Sequence, residues 1–194
     1  MSEPVGVVLA AGLATRMGGP KQLLPFRDSS VLETVVNAAA RSLLKRVVVV
    51  LGAYAAEIQD KVDLAAVEVV VNPEPERGNL SSLRTAIGVV GEQPILLIMG
   101  DMPGITSELI DAHVTAFSAD PAWLVTTTYE DGVGHPFMLS QELVGSLEEL
   151  GGPKPLWQLT EDERAATLHV EGPMPTDIDT PADYGEALAR DATQ

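Results

Sequence analysis

The chain of 194 residues has 12 lysines and arginines against 28 aspartates and glutamates, which gives a formal net charge of −16. So acidic a composition argues against a nucleic-acid scaffold, because contact with the phosphate backbone requires a basic surface. The absence of cysteine excludes disulfide bonds, thiolate catalysis and cysteine-ligated zinc or iron–sulfur centres, and leaves oxygen-ligated metals possible.

The length predicts a single domain comprising residues 1–194, since one domain typically has roughly 100 to 200 residues. No stretch approaches the ~18 uncharged apolar residues of a membrane helix, and the N-terminus lacks a basic segment followed by an unbroken apolar run. We therefore expect a soluble, cytoplasmic protein whose partners are neither membranes nor nucleic acids.

The first candidate site is a glycine loop, residues 11–20, after the apolar run of residues 5–10. An apolar run bounded by glycine predicts a buried strand, and open α/β sheets hold phosphorylated ligands at the carboxyl ends of such strands. Residues 1–50 carry a net charge of +3 and the remainder carries −19. Within this basic segment, Arg16 and Lys21 are candidate phosphate ligands because of their glycine-bearing loop, whereas most other cations are interpreted as solvated surface charge.

Two better-known phosphate loops do not fit. The dinucleotide fingerprint G-x-G-x-x-G is excluded because Ala14 and Met17 stand where the second and third glycines would be. The P-loop is excluded because Gly12 and Gly18 are one residue too far apart and neither serine nor threonine follows the lysine. NAD(P)-dependent redox chemistry is therefore disfavoured.

Further apolar runs predict strands, and the segments between them predict helices. The predicted strands comprise residues 46–51, 67–71, 95–99, 123–128, 135–139 and 167–170, with the first three fully buried. The predicted helices comprise residues 30–44, 53–61, 80–90, 106–117, 141–150 and 181–190, with a short helical segment at 156–159. This alternation predicts an α/β fold, a three-layer, Rossmann-like, mostly parallel sheet with helices on both sides. A turn-rich stretch predicts a hairpin, and hence a small antiparallel extension, around residues 129–139.

Two serines stand near the start of the helix predicted for residues 80–90. Ser81 and Ser82 could direct hydroxyls and free backbone amides toward an anion. Simple capping of the helix explains them equally well.

Three aspartates are candidate metal ligands. Asp101 follows the apolar run of residues 95–99, which places it at the same sheet edge as the glycine loop; a turn residue before proline is the alternative. Asp177 and Asp179 alternate across Ile178 and therefore share one face of an extended segment, where like charges repel unless water or a cation separates them. Carboxylates used together with substrate phosphates are typical ligands of Mg²⁺.

The histidines indicate no metal cluster. His113 and His169 are interpreted as structural residues, and the three histidines are scattered along the chain. His135, between Gly134 and Pro136, is either a residue of a substrate pocket or an ordinary loop histidine.

Four motifs together carry a resemblance to a known family. Residues 9–25 read L-A-A-G-x-x-x-R-M-G-x-x-K-x-L-L-P, and residues 72–83 read N-P-x-x-x-x-G-x-x-x-S-L. The segments GDMP and DIDTP stand at residues 100–103 and 177–181. In this order the motifs closely resemble those of the MobA-like nucleotidyltransferases, above all the molybdenum cofactor cytidylyltransferases, and the resemblance covers nearly the whole chain.

The resemblance implies an enzyme that transfers a nucleoside monophosphate from an NTP to a phosphorylated acceptor and releases pyrophosphate. It implies that Asp101 and Asp179 hold Mg²⁺, with Asp177 in support, and that Arg16 and Lys21 hold the triphosphate. The implied nucleotide-binding residues are Leu9, Ala10, Ala11, Gly12, Asn72, Ser81 and Ser82. The implied acceptor-binding residues are Gly134, His135 and Lys154, the last in a turn that departs from the family's G-D-K-G-like pattern.

The branch of the family sets the expected substrates. Ala11 makes the opening motif LAAG, as in the cytidylyl branch, rather than the LAGG of the guanylyl branch, so CTP is favoured over GTP. The implied acceptor is molybdopterin, and a molybdoenzyme client is an implied partner. Two alternatives stay open: a transferase for a sugar phosphate or another small phosphorylated acceptor, and a non-catalytic carrier or chaperone of the molybdenum cofactor.

Overall fold

Runs of β-branched and apolar residues form the strands, since such side chains suit a sheet that is covered on both faces. The computed structural model describes residues 2–147 and 156–193. Its strands are β1 Val5–Ala10, β2 Pro25–Phe26, β3 Ser29–Ser30, β4 Val47–Leu51, β5 Glu68–Val71, β6 Ile95–Met99, β7 Leu124–Tyr129, β8 Gly132–Leu139 and β9 Ala165–His169. Its α-helices are α1 Val31–Ala40, α2 Ala55–Lys61, α3 Asn79–Val90, α4 Ser107–Ala119, α5 Gln141–Ser146 and α6 Pro181–Asp191. Short 3₁₀ helices occupy Lys21–Leu23, Pro75–Arg77 and Leu156–Glu161.

In the described residues, seven strands form one sheet in the order β5-β4-β1-β6-β8-β7-β9. β1 pairs in parallel with β4 and β6, with Val8 opposite Val49 on one side and Ile98 on the other. β8 runs antiparallel to both of its neighbours, β6 and β7, which makes the β7–β8 hairpin the predicted antiparallel extension. β2 and β3 form a two-stranded ribbon of their own. The predicted α/β fold with a mostly parallel sheet is confirmed.

Side chains of β1 alternate between two hydrophobic layers, as the two-residue period of a strand requires. Val8 and Ala10 pack on one face in a cluster with residues of α1 and α4. Val7 and Leu9 pack on the other face with residues of α3 and α5. The sheet is therefore the middle layer of three, with its parallel centre covered on both sides.

β5 differs from the prediction. The run at residues 67–71 was expected to be fully buried, but β5 pairs only with β4 among the described strands and lies at the edge of the sheet. Val71 is accordingly 49% exposed. Local apolar composition is the same in central and edge strands, and only the strand order separates them.

The helix ends follow from capping groups. The Oγ of Ser30 accepts a hydrogen bond from Glu33 N at the start of α1, and Thr180 and Asp183 form a complete capping box at the start of α6. α1 ends at Ala40 rather than at residue 44, and α5 ends at Ser146; residues 148–150 of the helix predicted there lie outside the described residues. Among the helices that the structure describes, none combines the length and the hydropathy needed to cross a bilayer.

Two glycines let loops approach each other at the carboxyl edge of the parallel strands. A Cβ added at Gly100, directly after β6, would lie 2.9 Å from Leu9 O. A Cβ added at Gly52, directly after β4, would lie 2.4 Å from Ala11 O. The missing side chains thus allow the segments after β4 and β6 to pack against the end of β1 and the start of the glycine loop.

Candidate active site

A cavity of about 390 Å³ opens at this edge of the sheet. It collects residues from four distant parts of the chain, namely the glycine loop, the start of α3, the end of β6 and the segment before α6. The predicted site residues that line it are Leu9, Ala10, Ala11, Gly12, Arg16, Lys21, Ser82, Asp101, Asp177 and Asp179. The carboxyl ends of parallel strands are where open α/β folds bind their ligands.

Backbone geometry shapes the glycine loop. Ala14 and Gly18 both have positive φ angles, of 48° and 72°, and Met17 N donates a hydrogen bond to Ala14 O at 3.0 Å. The chain then enters the 3₁₀ helix, which places the Lys21 side chain in the interior, where it is 8% exposed. Arg16, by contrast, stays at the mouth of the cavity with its side chain 64% exposed.

The three candidate aspartates come together in one carboxylate cluster, defined as Asp101, Asp177 and Asp179. One oxygen from each lies within 4.8 Å of the others. The backbone fixes this arrangement, because Ile178 N donates a hydrogen bond to Asp101 O at 3.1 Å. Asp179 N donates in turn to Asp183 Oδ2 at 3.1 Å. The two acidic segments are thus held to each other and to the first turn of α6.

Two cations from the first 21 residues pair with this cluster. Lys21 Nζ lies 2.6 Å from Asp101 Oδ2 and 2.8 Å from Asp179 Oδ1. The guanidinium of Arg16 lies 2.5 Å from Asp179 Oδ2. The structure therefore joins the basic and acidic parts of the predicted site, and the two contacts to Asp179 connect residues 163 and 158 positions apart in sequence.

The pKa values reflect this crowding. Burial alone would lower the pKa of Lys21, but the charges and hydrogen bonds of Asp101 and Asp179 outweigh it, so the pKa is raised. Desolvation opposes ionisation of Asp179, yet its pKa is lowered because Lys21 and Arg16 donate to it. Asp177, which these cations do not contact directly, has its pKa raised to about 7 by desolvation and by the charges of the other two carboxylates.

The carboxylate cluster fits a hard divalent cation. All three residues offer oxygen, which is the ligand atom that Mg²⁺ and Mn²⁺ prefer. Asp101 Oδ1 is buried and has no hydrogen-bond partner in the described part of the chain. A buried carboxylate oxygen without a donor is costly, and a cation would satisfy it.

Asn72 organises the loop before α3. Its Nδ2 donates to Ser82 Oγ at 3.1 Å, and its Oδ1 accepts from Glu74 N at 2.9 Å and from Ser81 Oγ at 3.2 Å. Gly78, not a serine, is the N-cap of α3, and no side chain caps this helix. Ser82 therefore lines the cavity, whereas the hydroxyl of Ser81 bonds within the loop and Asn72 holds both in place.

The predicted acceptor residues lie elsewhere. Gly134 is buried, and a Cβ added there would lie 2.3 Å from the sulfur of Met174. The ring of His135 stacks on Phe137 with centroids 4.3 Å apart, and burial lowers its pKa to about 4. Neither is part of the cavity lining described above. Lys154 lies outside the described residues.

Sequence reasoning missed several cavity residues, among them the amide side chains of Gln22 and Asn79. Gln22 is 2% exposed and lines the cavity beside Lys21, and Asn79 lines it at the first position of α3. Gln22 could have been found from the sequence because it directly follows Lys21, a candidate phosphate ligand. Asn79 could have been found because it directly follows Gly78, the glycine of the second motif.

Comparisons with known proteins found relatives in sequence and in fold. The molybdenum cofactor cytidylyltransferase of Escherichia coli K12 is 25% identical over 186 residues, which cover 95% of each chain. Nicotine blue oxidoreductase of Paenarthrobacter nicotinovorans is 35% identical over 103 residues, which are 52% of this chain and 50% of the relative. The crystal structure of Rv0371c from Mycobacterium tuberculosis H37Rv has a TM-score of 0.88 at 35% identity, covering 97% of this chain and 98% of that one. A structure of Rv0371c in complex with manganese has a TM-score of 0.84 at 33% identity, covering 97% of this chain and 99% of that one.

The family assignment is based on a match that covers most of the chain. The family model of the MobA-like NTP transferase domain matches residues 6–168. This match begins in β1, includes the glycine loop and Asp101, and ends in β9, just before the segment that carries the other two carboxylates. The chain belongs to the MobA-like NTP transferase family.

Proposed function

We propose that this protein transfers a nucleotidyl group from an NTP, preferentially CTP, to the phosphate of molybdopterin, with release of pyrophosphate. One observation carries the proposal: Arg16 and Lys21 meet three carboxylates in a single cavity at the ligand-binding edge of an α/β sheet. A triphosphate is held by cationic side chains and by a divalent metal ion. Arg16 and Lys21 would supply the first, and a cation held by the carboxylates would supply the second.

The cationic side chains act on the triphosphate. Lys21 and Arg16 neutralise its oxygens and orient the α-phosphate toward the acceptor. Because phosphoryl transfer depends chiefly on positioning and on stabilising negative charge, these residues need not react covalently. Backbone amides of Ala11 and Gly12 and the start of α3, which has no side-chain cap, add further donors for anionic or polar groups of the nucleotide.

Asp101 and Asp179 hold the divalent cation in this proposal, with Asp177 as a third oxygen ligand. When bound there, Mg²⁺ supplies positive charge that stabilises the charge developing on the phosphate oxygens. The backbone hydrogen bond between Ile178 and Asp101 keeps the ligands at a fixed spacing. The manganese complex of Rv0371c supports a divalent cation in this family without indicating which one this protein uses.

The substrate assignment has separate support. The cytidylyltransferase of Escherichia coli matches over 95% of each chain, and Ala11 agrees with its branch. The acceptor is assigned through this relative alone. A sugar phosphate or another small phosphorylated acceptor would require the same carboxylates and cations, so acceptor identity needs its own experiment.

The test is a pyrophosphate-release assay with Mg²⁺, molybdopterin and each of the four NTPs in turn. We expect release that depends on molybdopterin and is fastest with CTP. Equal rates with CTP and GTP would contradict the cytidylyl assignment, and release only with other phosphorylated acceptors would contradict molybdopterin. No release with any pair would favour a carrier, which Asp101→Ala should leave able to deliver its ligand.

The similarity to nicotine blue oxidoreductase is tested separately. That match covers only about half of each chain, and the dinucleotide fingerprint is absent from the glycine loop. Titration with NADH, followed by its fluorescence, should show no saturable binding. Saturable binding that CTP does not displace would instead favour redox chemistry.

A further inference from the structure

Gln22 has one half of its side-chain amide engaged and the other half free. The residue lies in the 3₁₀ helix Lys21–Leu23 and is 2% exposed. Its Nε2 donates a hydrogen bond of 2.9 Å to Ala10 O, at the end of β1. Its Oε1 is buried and has no hydrogen-bond partner within the described residues, and yet the residue lines the cavity.

The orientation of the amide follows from its partner. Turning the amide over would place Oε1 against Ala10 O, and two acceptors cannot share a hydrogen bond. The free atom is therefore an acceptor. A buried acceptor left unsatisfied destabilises the folded protein, so a well-placed donor from a ligand would bind it favourably.

The surroundings of Gln22 narrow the choice of donor. Phosphate oxygens at neutral pH accept hydrogen bonds, as carboxylates do, so neither can satisfy Oε1. Gln22 directly follows Lys21, which contacts Asp101 and Asp179, and both residues line the cavity in which the triphosphate would be held. Asn79 and Ser82, at the start of α3, line another part of the same cavity. Proceeding from the α-phosphate of a nucleotide, the first hydrogen-bond donors are the ribose hydroxyls.

We infer that Gln22 is a specificity-determining residue whose Oε1 accepts a hydrogen bond from a ribose hydroxyl of the bound nucleotide. It thereby favours ribonucleotides over deoxyribonucleotides, while its Nε2 holds the end of β1 in the position that the nucleotide requires. This inference rests on the proposed function, because it assumes that the cavity binds an NTP. Water molecules bound to a divalent cation offer the same O–H chemistry, and the experiment separates these two sources.

Calorimetric titrations in Mg²⁺, without acceptor, would compare CTP, 2′-deoxy-CTP and 3′-deoxy-CTP. A neutral hydrogen bond contributes about 0.5–1.5 kcal/mol, so we expect the wild type to bind CTP roughly 3–10-fold more tightly than one of the deoxynucleotides. Gln22→Met, which keeps the length of the side chain but has no amide, should bind CTP more weakly and lose this ratio. Gln59→Met is the matched control, because Gln59 is exposed and also donates to a backbone carbonyl, Ala55 O.

The ratio of the affinities for CTP and a deoxynucleotide distinguishes recognition of the sugar from support of the end of β1. If Gln22 only anchors β1, the substitution weakens ribo- and deoxynucleotides equally, and an unchanged ratio overturns the inference. If Gln22→Met weakens the binding of all three nucleotides equally, and EDTA abolishes this difference from the wild type, the donor is metal-bound water and the inference is overturned. If the wild type binds CTP and both deoxynucleotides equally well, the inference is overturned. This comparison does not depend on whether the variant folds. If CTP binds without sugar preference, the proposed function stands and only this inference fails; if no NTP binds, both fail.

Discussion

Lys21 and Asp101 form an ion pair in the interior of the site, with 2.6 Å between Nζ and Oδ2 and with side chains 8% and 13% exposed. Removing one partner of such a pair leaves an uncompensated charge. Asp179, at 2.8 Å from the same nitrogen, gives Lys21 a second partner. The site therefore combines two cations with three carboxylates, and a substitution of either sign should change both ligand binding and turnover.

Asp101→Asn should remove turnover while keeping the fold. Asparagine has the same shape but loses the charge with which Asp101 would hold a cation. Loss of one group that stabilises transition-state charge typically costs about 10²–10³-fold in rate, so pyrophosphate release should fall at least that far. Circular dichroism should show an unchanged fold, and Asp60→Asn on the exposed face of α2 is the control. A variant with more than a tenth of wild-type activity would remove Asp101 from the mechanism.

Arg16→Gln should affect metal and nucleotide binding in opposite directions. Arg16 pairs with Asp179, but its side chain is 64% exposed, and exposed pairs contribute at most about 1 kcal/mol. Without nucleotide, Mn²⁺ should therefore bind the variant up to about fivefold more tightly, since Asp179 Oδ2 is freed while Oδ1 stays paired with Lys21. CTP should bind roughly 10–100-fold more weakly, because a charge-assisted hydrogen bond to phosphate is lost.

Calorimetry of each ligand alone measures both effects of the Arg16 substitution. Arg41→Gln, at the exposed end of α1, should change neither affinity. Weaker binding of Mn²⁺ to Arg16→Gln would show that Arg16 does not compete with the cation for Asp179.

Gly52→Ala and Gly88→Ala should have opposite effects on thermal stability. The new Cβ at position 52 would lie 2.4 Å from Ala11 O and 2.9 Å from Ala11 Cα, so the start of the glycine loop must move. We expect a lower melting temperature and weaker CTP binding. At position 88, in α3, nothing lies within 4 Å of the new Cβ, and replacing a helical glycine should stabilise by up to about 1 kcal/mol. Thermal melts and CTP titrations of both variants provide the comparison, and equal behaviour would contradict the close approach at Gly52.

His113 should make stability depend on pH. Burial lowers its pKa from 6.5 to about 4, so between these values the unfolded chain binds more protons than the folded one. The contribution of His113 to the free energy of unfolding should therefore increase with pH across this window and be complete above pH 6.5. It should be lost as the pH falls through about 4. The contribution is at most about 3 kcal/mol.

His113→Gln removes that titration while keeping a donor. Thr127 Oγ1 donates its single proton to Pro136 O at 2.8 Å, so His113 Nε2 must donate to Thr127 Oγ1 across 2.7 Å. The glutamine amide can replace this donor. Urea unfolding at several pH values should show a smaller slope between pH 4 and 6.5 than the wild type. The difference between the two curves isolates His113 from His135, and identical slopes would contradict the assignment.

The sequence predicted the elements well where the signal is local. β-Branched residues indicated β4, and Thr180 followed by Pro181 indicated the start of α6. The burial of β5 was predicted wrongly because its position in the sheet depends on which strand pairs with which. α1 and α5 end at Ala40 and Ser146, earlier than the sequence predicted.

The candidate site was predictable in its charges but not in its contacts. Alternation indicated that Asp177 and Asp179 share a face, and the edge rule for open sheets placed Asp101 near the glycine loop. No local pattern indicates that Ile178 binds the backbone of Asp101, or that one oxygen of Gln22 is left without a partner. Gly134 and His135, expected to bind the acceptor, pack against Met174 and Phe137, and their role in acceptor binding stays a prediction.

The hydrogen bond from Ile178 N to Asp101 O also joins two parts of the carboxylate cluster that come from separate regions of the fold. Asp101 follows β6, whereas Asp177 and Asp179 lie between β9 and α6. The cluster is therefore complete only when the segment before α6 has docked against the end of β6.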